Sequence, residues 1–349
     1  MKKCLLSLIL CFVLMGSLFP AVAFGSPLPL QAAQAPDVAV FRKTDPVSFT
    51  PDQMKRLQNR IGSSRKRGEE KSEAFEKEAD FWSRGSSRYF YRKLKASAKA
   101  YYNRLDGVCL SYLGGKGKSA EEDGYYYMEE VRYTDLSLDE MMDATWLFIY
   151  ENPQYYFLDF GFGYAVSGDR GAKAGEVALS VYRAFSQLEA VIDAREKIKT
   201  SVEAYLEEAA SYRSDLAKET FFHDALVQDT TYEENALDQS AASVFLNGRS
   251  VCMGYSMAFE FLMNLSGIQT LVVTSETHAW NQVFLGGRWY LVDVTWDDND
   301  DGRISREFFN ISSKEAKAKD GRQKAHVPEK LFATVGTPSC TTDKKMKKK

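Results

Sequence analysis

The chain has 349 residues, 44% of them hydrophobic and 27% charged, with a formal net charge of −3. This is the composition of a globular protein with ample material for a core, and it excludes wholesale disorder and collagen-like repeats. The near-neutral balance also argues against nucleic acid as a partner, because that binding needs clustered cations to neutralise phosphates.

Lys2 and Lys3 precede an apolar run from Leu5 to Phe19, followed by Pro20 and Ala21-Val22-Ala23. Residues 1–23 therefore read as a secretory signal peptide cleaved after Ala23. The run is shorter than the roughly 20 residues needed to cross a bilayer, so no stable membrane span is expected after cleavage. Cys11 does not read as a lipidation site, since Leu10 stands where a small residue is required. A secreted, cell-surface or periplasmic location follows, and with it an oxidising compartment. The mature chain keeps Cys109, Cys252 and Cys340, so one thiol is left over after any pairing. Cys109 and Cys340 are the expected pair, because Cys252 has another role below.

Residues 24–51 hold five of the nine prolines and read as an extended linker with little fold of its own. Residues 52–212 read as a mainly helical, aromatic-rich region. It opens on a charged stretch containing Arg65-Lys66-Arg67 and Glu69-Glu70-Lys71, a solvated helix face. Between Phe81 and Tyr164 rings are dense (Tyr89-Phe90-Tyr91, Tyr125-Tyr126-Tyr127, Tyr155-Tyr156-Phe157), with a glycine loop at Gly114-Gly115-Lys116-Gly117. Core packing is the expected use of these rings; a peptide- or sugar-stacking surface is the alternative. From Glu176 to Tyr212, Val181, Phe185, Leu188 and Ile192 follow the spacing of a long amphipathic helix. Residues 336–349 form a basic tail ending in Lys347-Lys348-Lys349, solvated or adhering to an anionic wall or membrane surface.

The chemistry concentrates in residues 213–335. Asn247-Gly248-Arg249-Ser250 reads as a turn and N-cap, and Val251 to Leu262 has helical periodicity that places Cys252 in the first turn. Unpaired N–H groups and the positive end of the helix dipole favour a thiolate there and offer donors to a developing oxyanion. Next come a β-type run, Thr270 to Thr274, and two strands joined by Gly286-Gly287. With a two-residue turn Leu285 faces Arg288, Trp280 faces Asp293 and His278 faces Thr295, so His278 and Asp293 are diagonal neighbours on one face. Diagonal partners lie roughly 7–8 Å apart at the backbone, a span that His and Asp side chains bridge. A three-residue turn would put Asp293 on the other face. An Asp that orients one ring nitrogen of a His, with a thiolate at the other, is the arrangement for acyl transfer through a thioester. His223 and His326 lack a comparable strand setting.

The blocks Gly248-Arg249-Ser250-Val251-Cys252-Met253-Gly254-Tyr255, His278-Ala279-Trp280-Asn281 and Trp289 to Asp298 resemble the bacterial transglutaminase-like superfamily. Phe222 to Val227 with Thr231-Tyr232 resembles its lead-in, and Phe308 to Ser312 its closing segment. The resemblance implies an α+β, papain-like core in which a helix N-terminus carrying Cys252 packs on an antiparallel sheet carrying His278 and Asp293. Tyr255, Trp280, Asn281 and Trp296 are the expected cleft or supporting residues. Met253 departs from the pattern, where many relatives carry a polar residue. The implied activity is that of a cysteine peptidase, amidase or transglutaminase on a protein or peptide substrate, cell-wall peptide included. A non-catalytic surface module that keeps the fold is the alternative, and a buried Cys252 that resists alkylation would favour it. No metal or cofactor is expected. Asp297-Asp298-Asn299-Asp300-Asp301-Gly302 has the start of a calcium loop, but Phe308 stands where the twelfth-position Glu belongs, so an acidic solvated turn is preferred.

Overall fold

In the computed structural model the described residues are 41–63, 75–168, 171–299, 303–321 and 323–344. The signal segment, most of the linker, the Arg65 to Lys71 charge run and the final lysines lie outside them. Among the described residues no helix is long and apolar enough to cross a membrane.

Helices make up the larger part of residues 52–212, as expected. They include α1 (Pro51–Ser63), α2 (Ala96–Leu113), α3 (Leu138–Glu151) and α4 (Leu188–Ala209). This region, together with Val47–Ser48 just before it, also carries a sheet that the pattern of side chains does not announce. Its strands are β1 (Val47–Ser48), β2 (Ser119–Glu122), β3 (Tyr125–Met128), β4 (Val131–Thr134), β5 (Leu158–Val166) and β6 (Ala174–Val181). They run in the order β1-β5-β6-β3-β2, with β4 also on β6. The long helix expected from Glu176 starts only at Leu188. Val177, Leu179 and Val181 alternate with period two and enter β6, which is paired on both sides.

The second half builds the site. It comprises α5 (Asp215–Asp229), β7 (Thr231–Tyr232), α6 (Ala241–Asn247), β8 (Arg249–Ser250) and α7 (Cys252–Leu265). Strands β9 (Thr270–Thr274), β10 (Ala279–Leu285) and β11 (Arg288–Val292), the short helix α8 (Val294–Asp297) and strand β12 (Phe309–Ile311) follow. The sheet is antiparallel in the order β12-β11-β10-β9. Helix α7 is buried on every side and packs on β9 and β10, which is why its apolar residues show no single stripe. This is the expected α+β arrangement.

One apolar core runs from Phe41 to Cys340, so residue 212 marks no break between separate cores. Trp82 stacks on Phe261 of α7 with centroids 5.8 Å apart and planes at 19°, tying the N-terminal rings to the helix that bears Cys252. Residues 41–51, the end of the assigned linker, are part of this body: Phe41 and Phe49 are buried, and β1 pairs with β5. The start of the assigned tail is docked as well. Cys340 is buried, its carbonyl accepts the Ser313 N–H, and Asp343 accepts the Ser312 N–H.

Phe49 packs edge-on to Tyr127 at 5.2 Å and lies so close over Gly163 that a Cβ there would sit 2.2 Å from its ring. Phe49→Ala is expected to lower unfolding free energy by about 3 kcal/mol in urea titrations, and Gly163→Ala to destabilise by a clash with the same ring. An unchanged midpoint in Phe49→Ala would return residues 41–50 to the linker.

Candidate active site

The N-terminus of α7 is set by a short parallel pairing in which Tyr232 of β7 lies opposite Ser250 of β8. Gly248 ends α6 with a left-handed φ of 61°, which turns the chain into β8. Ser250 is therefore a strand residue and not the cap. Its hydroxyl donates to the Asp238 carbonyl at 2.6 Å and lies 2.6 Å from Ser243 Oγ. Val251 is the N-cap, without a capping side chain, and Cys252 is the first helical residue. Gly254 is required here: a Cβ would lie 1.9 Å from Ser250 Oγ and 2.7 Å from the Asp238 carbonyl. The Tyr232 hydroxyl faces the backbone N–H of Cys252, and burial together with the nearby sulfur raises its pKa.

Gly286 and Gly287, with φ of 56° and 82°, form the two-residue turn, and Leu285 faces Arg288 while Asn281 faces Val292. Extending that register one pair further sets Trp280 against Asp293 and brings His278 and Asp293 to one face. His278 Nε2–H donates to Asp293 Oδ2 at 2.6 Å. Asp293 Oδ1 accepts the Trp296 N–H at 3.1 Å, so this carboxylate also caps α8. The other ring nitrogen of His278, Nδ1, has no nitrogen or oxygen partner and faces Cys252. Burial acts to lower the His278 pKa, but the Asp293 carboxylate and the Cys252 sulfur outweigh it and push it up to about 10. Burial likewise works against the charge on Asp293, yet the imidazoles around it hold its carboxyl well below the usual range.

His326, set aside on sequence grounds, joins this cluster. Its Nε2 lies 2.9 Å from the same Asp293 Oδ2, its Nδ1 contacts Asp320 Oδ1, and its backbone N–H donates to Asp320 Oδ2 at 2.8 Å. The ring stacks on Phe308 at 5.2 Å and 17°, and meets Trp280 and Trp296 edge-on, each at 5.0 Å. Trp280 also stacks on His278 at 6.2 Å, and Trp296 lies 5.5 Å from it. The two tryptophans thus wall the imidazoles. Donor atoms of His278, Asp293 and His326 lie within 4.8 Å of one another, a set that could hold a metal ion, but the closest separations are those of hydrogen bonds already made.

Tyr255 and Asn281 brace the site from behind. The Tyr255 hydroxyl is 2.7 Å from Asp298 Oδ2 and 3.0 Å from the Thr230 carbonyl. Asn281 Nδ2 donates to the Ser256 carbonyl at 2.9 Å, fastening α7 to β10. Asp297 departs from the solvated acidic turn expected of it. It is fully buried, accepting the Phe308 N–H at 3.0 Å and facing His223 Nε2 at 3.2 Å. Its first-position carboxylate is thereby occupied by a backbone N–H and an imidazole; the centre of the calcium-like loop lies outside the described residues. His223 Nδ1 meets Asp224 Oδ1 at 3.0 Å, and Asp224 is paired with Arg306. Cys109 and Cys340 are free and buried, not bonded to each other. Burial drives the Cys109 thiol well above its ordinary value and the Cys340 thiol up to about 12.

Residues 203–294, about a quarter of the chain, match the transglutaminase-like superfamily, and this segment belongs to it. Kyphoscoliosis peptidase of Homo sapiens is 38% identical over 61 residues, and that of Mus musculus 36% over 61 residues. In each case the match covers 13% of this chain and 9% of the relative, so the chain spans less than a tenth of the length of these proteins. A crystal structure of a TGase aligns with 16% identity and a TM-score of 0.29, covering 40% of this chain and 52% of that one.

The histidine and carboxylate pairs give stability a pH signature. Burial opposes the charge on His223, but Asp224 and Asp297 raise its pKa, while His223 and Arg306 lower that of Asp224 against burial. A raised histidine pKa contributes stability that is complete below about 6.5 and fades as pH climbs through the folded value. A lowered aspartate pKa contributes stability present above about 3.9 and lost on acidification. Thermal unfolding of the wild type is expected to show a melting temperature that falls from about pH 6.5 upward, with His223 and His278 both contributing and the His278 share continuing to about pH 10. His223→Asn should melt lower at pH 6 and decline less steeply just above pH 6.5; a decline of unchanged steepness would show that His223 is neutral in the folded chain.

Proposed function

We propose that the protein is an exported cysteine-nucleophile enzyme that acts on peptide or carboxamide bonds through a thioester acyl-enzyme. The observation that carries this reading is the His278 ring held between Asp293, at 2.6 Å, and Cys252 at the start of α7. In the first step the Cys252 thiolate adds to the substrate carbonyl carbon, and the oxygen gathers negative charge near the Cys252 N–H. His278 then gives its proton to the departing amine as the C–N bond breaks, leaving the thioester. Water enters next in a peptidase or amidase, or an amine in a cross-linker, and His278 takes the proton from the incoming group. Asp293 holds the tautomer that presents Nδ1 to the sulfur. Bound at the Cys252 N–H, a substrate oxygen takes the place of the Tyr232 hydroxyl. Export rests on the Lys2-Lys3, apolar-run and Ala21-Val22-Ala23 sequence, and makes cell-wall peptide a fitting substrate class.

A second reading, a binding or structural module without turnover, is favoured by one observation: Cys252 has 0% and His278 only 1% of its surface exposed. Alkylation separates the two. If the site opens to substrate, limiting iodoacetamide followed by peptide mapping labels Cys252 ahead of Cys109 and Cys340. Labelling of all three only on unfolding would favour the module.

The two aspartates provide a second test. Asp293→Asn keeps the shape but loses the charge that stabilises the imidazolium, and in a comparable triad this change costs about 10⁴ in rate. Acyl-enzyme formation on Cys252, followed by mass spectrometry with a peptide library, should drop at least a hundredfold. Asp297→Asn leaves His223 Nε2–H facing an amide and should instead cost about 3 kcal/mol of stability, with acylation preserved in the folded fraction. Similar losses in both assays for both variants would reduce Asp293 to a structural carboxylate.

A further inference from the structure

Before the chain enters β1, residues Phe41–Lys43 bridge the two segments that flank the Cys252 and His278 pair. On one side the Phe41 N–H donates to the carbonyl of Thr277, one residue before His278, at 3.1 Å. On the other, the single side chain of Gln239 takes both backbone groups of Arg42: its Oε1 accepts the N–H at 2.8 Å and its Nε2 donates to the carbonyl at 3.0 Å. The Arg42 guanidinium reaches further along the same loop and pairs with Glu234 at 2.5 Å. Glu234 is in turn one of the charged groups around the hydroxyl of Tyr232, two residues earlier. The bridge is anchored in the body of the protein. The buried Phe41 ring packs on Phe160 at 5.8 Å and Tyr150 at 6.1 Å. Lys43 Nζ lies 4.2 Å from the centre of the Trp146 ring and 3.1 Å from Glu329, whose other oxygen accepts from Thr274 at 2.6 Å.

We infer that residues Phe41–Lys43 are an autoinhibitory strap: by clasping the loop from Glu234 to Gln239 they keep the Tyr232 hydroxyl at the Cys252 N–H, so that the structure is the closed form of the acyl-transfer site. The inference rests on the acyl-transfer reading. The Cys252 N–H is the donor that a developing oxyanion needs, and a substrate oxygen cannot use it until the hydroxyl leaves. Cys252 is fully buried while Tyr232 is half-buried, so the ring reaches solvent where the sulfur does not. A peptide bound to both Cys252 and His278 has to enter between the Tyr232 loop and Thr277, the two segments that the strap ties together. Strand β7 keeps its own hold on β8, since the Glu233 N–H donates to the Ser250 carbonyl at 3.0 Å. Opening therefore moves the Tyr232 ring and the loop after it, not the strand. It costs the two Gln239 hydrogen bonds and the Arg42–Glu234 pair, and the amide bonds are the larger share because the pair is exposed. The open form is then a minor population, and a thiol reagent meets the sulfur only through it.

The rate at which iodoacetamide alkylates Cys252 in the full chain, followed by peptide mapping well below the melting temperature, measures that population. Gln239→Ala is expected to speed Cys252 labelling about tenfold, the worth of two hydrogen bonds, with Cys109 and Cys340 still unlabelled. Arg42→Ala, which removes only the exposed pair, should speed it about twofold. Tyr232→Ala should speed it at least as much as Gln239→Ala, and adding Gln239→Ala to it should bring no further gain, because the strap acts through that ring. A strap that only stabilises the fold would lower the melting temperature and leave labelling unchanged. Unchanged labelling in folded Gln239→Ala, or gains that multiply in the double variant, would overturn the inference. If Gln239→Ala labels all three cysteines as an unfolded chain does, Gln239→Glu takes its place with the same two outcomes, since it keeps the shape and loses the bond to the Arg42 carbonyl. Failure of the acyl-transfer reading is a separate result: strap variants that label faster at Cys252 yet form no acyl-enzyme there with a peptide library.

Discussion

The carboxylate of Asp293 is the point on which the site hangs. One oxygen accepts the Trp296 N–H and so starts α8; the other accepts from His278 at 2.6 Å and faces His326 at 2.9 Å. Turning the side chain to improve any one of these bonds would weaken the other two. That constraint explains why three separated pieces of chain, the hairpin, α8 and the loop after Asp320, meet in a single arrangement. It depends in turn on the Gly286-Gly287 turn. A side chain in a strand changes face with every residue, so a turn one residue longer would carry Asp293 away from His278 and leave a buried imidazole without its acceptor.

The other half of the site is positioned by packing. Helix α7 is buried along its whole length, and Trp82 on Phe261 joins it to the aromatic N-terminal region. Cys252 cannot shift along the helix axis without disturbing both that stack and the contact of Gly254 with Ser250 and Asp238. The dense rings of residues 81–164, considered above as a stacking surface, are largely spent on this shared core. A scaffold so continuous leaves two half-buried rings at the site, Tyr232 at the Cys252 N–H and Trp296 beside His278.

The local features of the site were legible because their signals are local. A Gly-Gly turn between two apolar runs sets the register, and the register sets the His278 and Asp293 face. Helical periodicity beginning at Val251 marks the start of α7 to within a residue. What escaped depends on partners far along the chain. His326 reaches Asp293 from a loop 33 residues away, and its own neighbourhood shows neither strand alternation nor helical stripe. Asp297 sits among Asp298, Asn299 and Asp300, so its surroundings in sequence describe solvent; His223, 74 residues earlier, buries it. The N-terminal sheet was hidden for a related reason. Strands β2 to β4 have four residues each, too short for alternation to stand out, and the apolar spacing of β6 runs on into α4.

Burying ionised groups is expensive, and an apolar cluster of similar volume would often be more stable. The cost falls unevenly on the site. Asp293 accepts from His278, meets His326 and caps α8, so its loss would leave all three without that acceptor inside the protein. Cys252 meets one imidazole at the end of this arrangement. The acyl-transfer reading requires two members to change charge together: the sulfur becomes a neutral thioester once the acyl group is attached, and His278 has by then surrendered its proton. The two changes cancel, so the pair carries the same net charge before and after. Asp293 keeps its contacts throughout, and the chemistry therefore proceeds without disturbing the carboxylate that holds the geometry.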